Sequence, residues 1–324
     1  MPSQILTANA RGVFAISATP FLDDGSLDLA STESLTQFYL DAGVHGLVIL
    51  GMMGEANKLS DDEARRFLGR VLDVVGGRIP VIVGASNPGT LNLVQLSHDA
   101  MAAGAAGVMV APVTSLRTDP QARDYFAAIC NALGPDVPLV LQDFPLALGV
   151  HMSASILGQI FAENPQIVMF KHEDWPGLNK LSILRDAEEK GARRLSILTG
   201  MGGLHLPQEL ARGADGAMTG FCFPEMLVGV CAAYARGDAE AGEDLFDIYL
   251  PLVRHEAQPG IGLALRKEVL RRRGAIASGV TRHPGPKLTA RDHEDLTSLL
   301  ARIERRLATD GKNAIVAGAE RTMA

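Results

Sequence analysis

Residues 46–84 read GLVIL GMMGEANKLS DDEARRFLGR VLDVVGGRIP VIVG, and the order of signals in this stretch decides the architecture. A short apolar, β-branched run is followed by a turn between two glycines. Ser60-Asp61-Asp62-Glu63 is then a capping box, opening a segment in which Phe67, Leu68, Val71, Leu72 and Val75 recur with helical spacing. Gly76 falls where that helix should stop, and a second apolar run begins at Pro80. The unit is strand, turn, helix. Outward from it, similar runs start at residues 13, 46, 80, 107, 137, 167, 195 and 216, spaced roughly 30 residues apart, as a repeated βα unit requires. Eight units predict a closed (β/α)8 or TIM barrel of the α/β class. A doubly wound open sheet would carry a glycine-rich phosphate turn after its first strand, where this chain has Ala18-Thr19-Pro20-Phe21. Asn87-Pro88 and Asp119-Pro120 each predict an N-cap followed by proline at the first helical position, and Gly43, Gly104, Gly191 and Gly213 mark further helix ends.

Beyond about residue 237 the strand signal ends, and 239–253, 261–273 and 289–308 read as helices. The chain therefore divides into a barrel, 1–237, a C-terminal helical region, 238–310, and a small, polar tail, 311–324, expected to fray. Among 324 residues, 37 are acidic and 30 basic, giving a net charge of −7. No concentrated basic face follows from that balance, so no nucleic-acid partner is expected. The run at 265–273, with Arg266, Lys267, Arg271, Arg272 and Arg273, reads as the solvated face of a helix. Cys130, Cys222 and Cys231 form no C-x-x-C pair, which predicts reduced thiols instead of a disulfide framework or zinc cluster. With no signal-peptide core and no apolar run of about 18 residues, a cytoplasmic protein without a membrane partner is expected.

P-loop, H-E-x-x-H, G-x-S-x-G and complete G-x-G-x-x-G motifs are absent, so neither a metal nor a nucleotide cofactor is expected. His45, His98 and His205 read as packing or surface residues. In a barrel of this kind the chemistry sits at the C-terminal ends of the strands. Strand six is Ile167-Val168-Met169-Phe170-Lys171, and period two puts Ile167, Met169 and Lys171 on one face. An ammonium group among apolar side chains is costly to bury, which leaves two readings. One is a strand-edge lysine that snorkels to solvent; the other is a Schiff-base lysine, since burial favours the neutral amine that attacks a ketone.

Gly51-Met52-Met53-Gly54-Glu55, after strand two, is either a tight βα turn or a nest whose backbone N–H groups face a carboxylate. Strand five ends in Gln142-Asp143, of which parity puts only one inward. Glu173, two residues past Lys171, is a proton carrier or simply the lysine's partner, and His172 should point into the helix layer. Strand seven ends at Thr199-Gly200.

Thr19-Pro20 after strand one, Gly51-x-x-Gly54-Glu55 after strand two, Ala111-Pro112 after strand four, Pro145 after strand five, Lys171 and Gly200 occur in order across about residues 10–300. In this they resemble the dihydrodipicolinate synthase / N-acetylneuraminate lyase family. The resemblance implies a TIM barrel with a C-terminal helical part, a homotetramer built from dimers, and cofactor-free class I aldolase-type chemistry on pyruvate or another 2-keto acid. It makes Lys171 the imine-forming lysine.

Departures from the family pattern are specific. The family's synthases carry two hydroxyl residues at Met52 and Met53, a proton-relaying tyrosine at Gln142 and another at Thr114. An arginine gripping the aldehyde substrate would fall at Ala147. Loss of the relay and of that clamp argues against lysine-biosynthetic condensation. Segments 141–145, 170–173 with Asn179-Lys180-Leu181, and 213–220 with Met218 are similar to the branch that dehydrates 2-keto-3-deoxy sugar acids. Lys171, Gln142 and Thr114 are thus the expected catalytic residues, with protons moving through water held by Gln142, Thr114 and Glu173 or Asp143. Thr19, Gly51, Met52, Met53, Gly54, Glu55, Asp143, Glu173, Gly200 and Met218 are expected around the substrate. A dehydratase is the leading expectation; a 2-keto acid aldolase, dihydrodipicolinate synthase proper and a non-catalytic keto-acid sensor are the alternatives.

Overall fold

The computed structural model describes residues 4–321, with side chains described as far as residue 309. Eight parallel strands form one closed sheet: β1 (Gly12–Ile16), β2 (Gly46–Ile49), β3 (Val81–Gly84), β4 (Gly107–Val110), β5 (Leu139–Asp143), β6 (Ile167–His172), β7 (Ser196–Thr199) and β8 (Gly216–Thr219). β8 returns to pair with β1, which completes the TIM barrel. Helices follow each strand and bury the outer face of the sheet, so both faces are apolar, as a parallel sheet demands.

The barrel interior is filled by Phe14, Ile16, Val48, Ile82, Met109, Val140, Met169, Leu198 and Met218. Gly46 makes room for Phe14, because a Cβ there would lie 2.3 Å from the phenyl ring. Leu6 packs into the same interior cluster, and its N–H donates to the Ala106 carbonyl at 3.0 Å. Between β5 and β6 the register slips: Leu139 faces Ile167, yet Val140 faces Met169. The extra residue turns Ile167 toward the helix layer, while Met169 points inward. The alternation that placed Ile167 on the Lys171 face is corrected by this bulge.

Ser60 and Glu63 form the capping box, and Gly76 and Gly104 close their helices in the left-handed region at φ +56° and +105°. The two proline signals are displaced. Asn87 is not an N-cap: its Oδ1 accepts from the Gly89 amide at 2.8 Å, and the helix begins at Thr90. Thr118, one residue before Asp119, caps the next helix, leaving Pro120 in its first turn.

Three further helices, Ala239–Glu256, Gly262–Arg272 and Ala290–Arg321, follow the barrel, near the expected bounds. The last continues through 311–321, the stretch expected to fray, and residues 322–324 lie outside the described part. The basic run departs most from expectation. Arg266 and Lys267 are buried at 6% and 0% exposure, because Glu256 of the preceding helix and Glu55, far off in sequence, meet them inside the fold. Arg271 and Arg272 pair with Glu268, and Arg273 pairs with Glu225. Among the described residues no helix is long and apolar enough to cross a membrane.

Candidate active site

A cavity of about 170 Å³ opens at the C-terminal mouth of the barrel, and the Lys171 side chain lines it. Strand β6 carries Lys171 inward beside Gln142 of β5, its register partner. The lysine is 4% exposed, so the barrel encloses it and the snorkelling alternative is set aside. Its Nζ lies 2.8 Å from Glu173 Oε2, and the same oxygen accepts from Gln142 Nε2 at 2.7 Å. Gly200 makes this arrangement possible: a Cβ there would stand 2.3 Å from Glu173 Oε1. A carboxylate touching a buried amine neutralises its charge and stands ready to accept its proton, the two things needed before that nitrogen adds to a carbonyl.

Opposite the lysine, the chain leaves β2 through a short 3-10 turn, Met52–Gly54. The Gly54 and Glu55 amides donate to the carbonyls of Gly51 and Met52 at 3.0 and 3.1 Å. Among the described residues the Met52 and Met53 amides have no backbone acceptor, as expected of the first two donors of such a turn. Leu50 and Glu55 flank it at φ +56° and +51°, costly for non-glycine residues, so the surroundings must hold them. They do. Thr19 Oγ1 donates to the Gly54 carbonyl at 2.6 Å, and the buried Glu55 carboxylate accepts from Lys267 Nζ at 2.7 Å, Lys58 Nζ at 2.8 Å and the Arg282 amide at 2.9 Å. Lys267 also sits 4.5 Å from the centre of the Phe21 ring.

The expected site residues therefore separate by role. Lys171, Gln142, Glu173, Gly51, Met52 and Met53 line the cavity. Thr19, Gly54, Glu55 and Gly200 lie behind it and hold the lining groups in place. Asp143 does not join them: parity sends it outward, where its Oδ2 meets Lys180 Nζ at 2.8 Å. Burial pushes the Asp143 carboxyl up to about 6 in spite of Lys180. Thr114 stands in an exposed turn outside the lining, its carbonyl taken by Arg117, and Met218 is packed in the barrel interior next to the lining residue Thr219. His172 faces the helix layer as expected, its Nε2 lying 3.0 Å from the Gly177 carbonyl. His45, His98 and His205 make local contacts, with the Val13 amide, the Leu133 carbonyl and the Trp175 ring.

Sequence reasoning missed part of the wall: Ile16, Met109, Phe144, Met201, Gly202, Thr219, Ala257 and Arg266. For Arg266 a signal existed. Gly262, Arg266, Val269 and Leu270 follow the i, i+4, i+7, i+8 pattern of one helix face, and that face is buried.

With this geometry in place, the comparisons with known proteins bear directly on it. A model of the Dihydrodipicolinate synthetase family matches residues 9–303. The chain belongs to that family. An L-2-keto-3-deoxyarabonate dehydratase of Azospirillum brasilense is 34% identical over 93% of this chain and 96% of that protein. A 4-hydroxy-tetrahydrodipicolinate synthase of Methanosphaerula palustris is 28% identical over 90% of this chain and 98% of its own length. The crystal structure of a dihydrodipicolinate synthase from Rhodopseudomonas palustris superposes with a TM-score of 0.91 at 48% identity, covering 93% of this chain and all of that one. The protein is a lyase of the dihydrodipicolinate synthetase family, and the sensor alternative finds no support among relatives named as enzymes.

Proposed function

We propose that this lyase dehydrates a 2-keto-3-deoxy acid through an imine on Lys171. The observation that carries the reading is the chain of contacts from Lys171 Nζ to Glu173 to Gln142 at the cavity wall. Glu173 accepts a proton from Nζ as the amine adds to C2 and returns it to the C2 oxygen; a second Nζ proton follows the same route, so the oxygen leaves as water and one proton stays on the iminium nitrogen. The imine then acidifies C3. Loss of a C3 proton to Glu173 gives the enamine, and the enamine's electrons expel the C4 hydroxyl, which takes that proton and leaves as a second water. Hydrolysis of the conjugated imine frees the product and restores Lys171.

Gln142 cannot titrate near neutrality, so it orients Glu173 and a water instead of carrying charge. Three features support dehydration over condensation. Among the described residues no tyrosine lines the cavity, Ala147 offers no cation for an aldehyde's carboxylate, and the 34% identical relative is named for dehydrating a 2-keto-3-deoxy acid. The same reading makes the enzyme a cytoplasmic homotetramer built from dimers, acting on a small 2-keto acid without a cofactor.

Borohydride reduction in the presence of pyruvate, followed by intact-mass analysis, tests the imine. Wild type should gain one reduced pyruvate adduct and Lys171→Ala none; an adduct on Lys171→Ala, or none on wild type with any 2-keto acid, would overturn it. A panel of 2-keto-3-deoxy acids assayed for semialdehyde and pyruvate then separates dehydration from its closest rival, since an aldolase releases pyruvate and a dehydratase does not.

A further inference from the structure

Arg266 reaches the same cavity from outside the barrel, and none of the steps above employs it. Its helix, Gly262–Arg272, lies in the C-terminal region. The side chain is 7% exposed, and its Nε donates to Glu256 Oε2 at 2.9 Å. The other Glu256 oxygen accepts from the Cys222 thiol, so the carboxylate holds the guanidinium through a single oxygen, at Nε. The remaining edge is poorly served. Nη1 points at the Met53 thioether, 2.9 Å away, and among the described residues Nη2 has no acceptor. Sulfur of this kind accepts weakly, so the guanidinium keeps donor capacity to spare where it lines the cavity. Met53 also belongs to the turn whose first two amides, among the described residues, lack backbone acceptors. Donors from two distant parts of the chain thus converge on one side of the cavity, and a cation is among them.

We propose that Arg266 is the carboxylate clamp of this site. Its free edge, together with the Met52 and Met53 amides, receives the C1 carboxylate of the 2-keto acid whose C2 carbon meets Lys171. Glu256 orients the guanidinium through Nε and leaves the fork free for the ligand. A cation here stands in for the two side-chain hydroxyls that Met52 and Met53 cannot offer. The inference rests on the 2-keto acid reading of the site and assigns a specificity-determining role to a residue beyond the eighth strand.

Pyruvate and its methyl ester share the reactive ketone but differ in the carboxylate charge. Binding is read as thermal stabilisation of the protein by each ketone, and imine formation separately by borohydride trapping. Removing Arg266 alone would strand Glu256, so the test variant is the uncharged pair Glu256→Gln/Arg266→Gln. Relative to wild type, it should need about 10- to 100-fold more pyruvate for half-maximal stabilisation, the range expected for a charge-assisted hydrogen bond, with methyl pyruvate shifted by less than about threefold. Arg266→Lys, which keeps the charge but loses the fork, should weaken pyruvate by about 10-fold and leave the ester unchanged, and it serves if the paired variant does not fold. Equal shifts for both ketones, or an unchanged pyruvate requirement, would overturn the clamp even where trapping on Lys171 succeeds. Failure of trapping with the pyruvate-selective shift intact would sink the imine and keep the clamp.

Discussion

Replacing Glu173 by glutamine removes one charge from the Lys171 pair and changes almost nothing else, because the amide oxygen can still accept from Gln142. At the observed 2.8 Å, Coulomb's law with an effective dielectric of about 20 gives a gross attraction of about 6 kcal/mol. Both side chains are buried, at 5% and 8% exposure, so neutralising the glutamate leaves the desolvation of the lysine charge uncompensated. Breaking such a pair costs about 3–5 kcal/mol. Urea unfolding of Glu173→Gln at pH 7 should therefore show a stability loss near the lower end of that range, about 3 kcal/mol, given the conserved hydrogen bond. Adding Lys171→Met should restore most of it, since the double variant buries no lone charge. Turnover of Glu173→Gln should fall by about 100- to 10,000-fold, the usual contribution of a general acid–base group, with binding of pyruvate much less affected. A Glu173→Gln enzyme as stable as wild type, a double variant no more stable than the single one, or turnover within a few-fold of wild type would refute the assignment.

Gln142→Ala should lower kcat by about 10- to 100-fold, as loss of a hydrogen bond to a charged group implies, while KM moves little; an unchanged kcat would reject its positioning role. Gly200→Ala places a Cβ 2.3 Å from Glu173 Oε1 and should swing that carboxylate off the lysine, costing about 100-fold in kcat with the circular dichroism spectrum retained. Normal activity of that variant would mean that Glu173 works from another position. Burial lifts the Glu209 carboxyl from 4.5 to about 7, and among the described residues its Oε2 lacks a partner. Because the folded value lies above the unfolded one, its stabilising effect is complete below about 4.5 and lost as pH rises through about 7. Glu209→Gln should accordingly be more stable than wild type at pH 8 by up to about 3 kcal/mol, and by much less at pH 5. Parallel urea midpoints at the two pH values would show that Glu209 does not titrate in that window.

The barrel was legible because its signals are local. Each strand run, the Ser60 capping box and the Gly76 and Gly104 stops depend on residues a few positions apart, and the strand starts follow from the sequence within three residues. Lys171 stood out for the same reason, as a lone cation at the end of an apolar strand, but the strand alone left snorkelling and an enclosed amine equally open, and only the closed barrel showed it buried. Parity showed that Gln142 and Asp143 must face opposite ways. Only the closed sheet, with Gln142 paired to Lys171, decided which faces the cavity, and the bulge that removed Ile167 from the inner face arises between two strands, not within one. The same holds more strongly for 265–273. As a string of basic residues it reads as a solvated face, since a buried cation needs an anion and none stands beside Arg266 or Lys267 at a spacing that names it. Their partners are Glu256 of the preceding helix and Glu55 of the second βα turn, 212 positions from Lys267. Periodicity is carried by neighbours along the chain, whereas the pairing of buried charges depends on which distant segments barrel closure brings together.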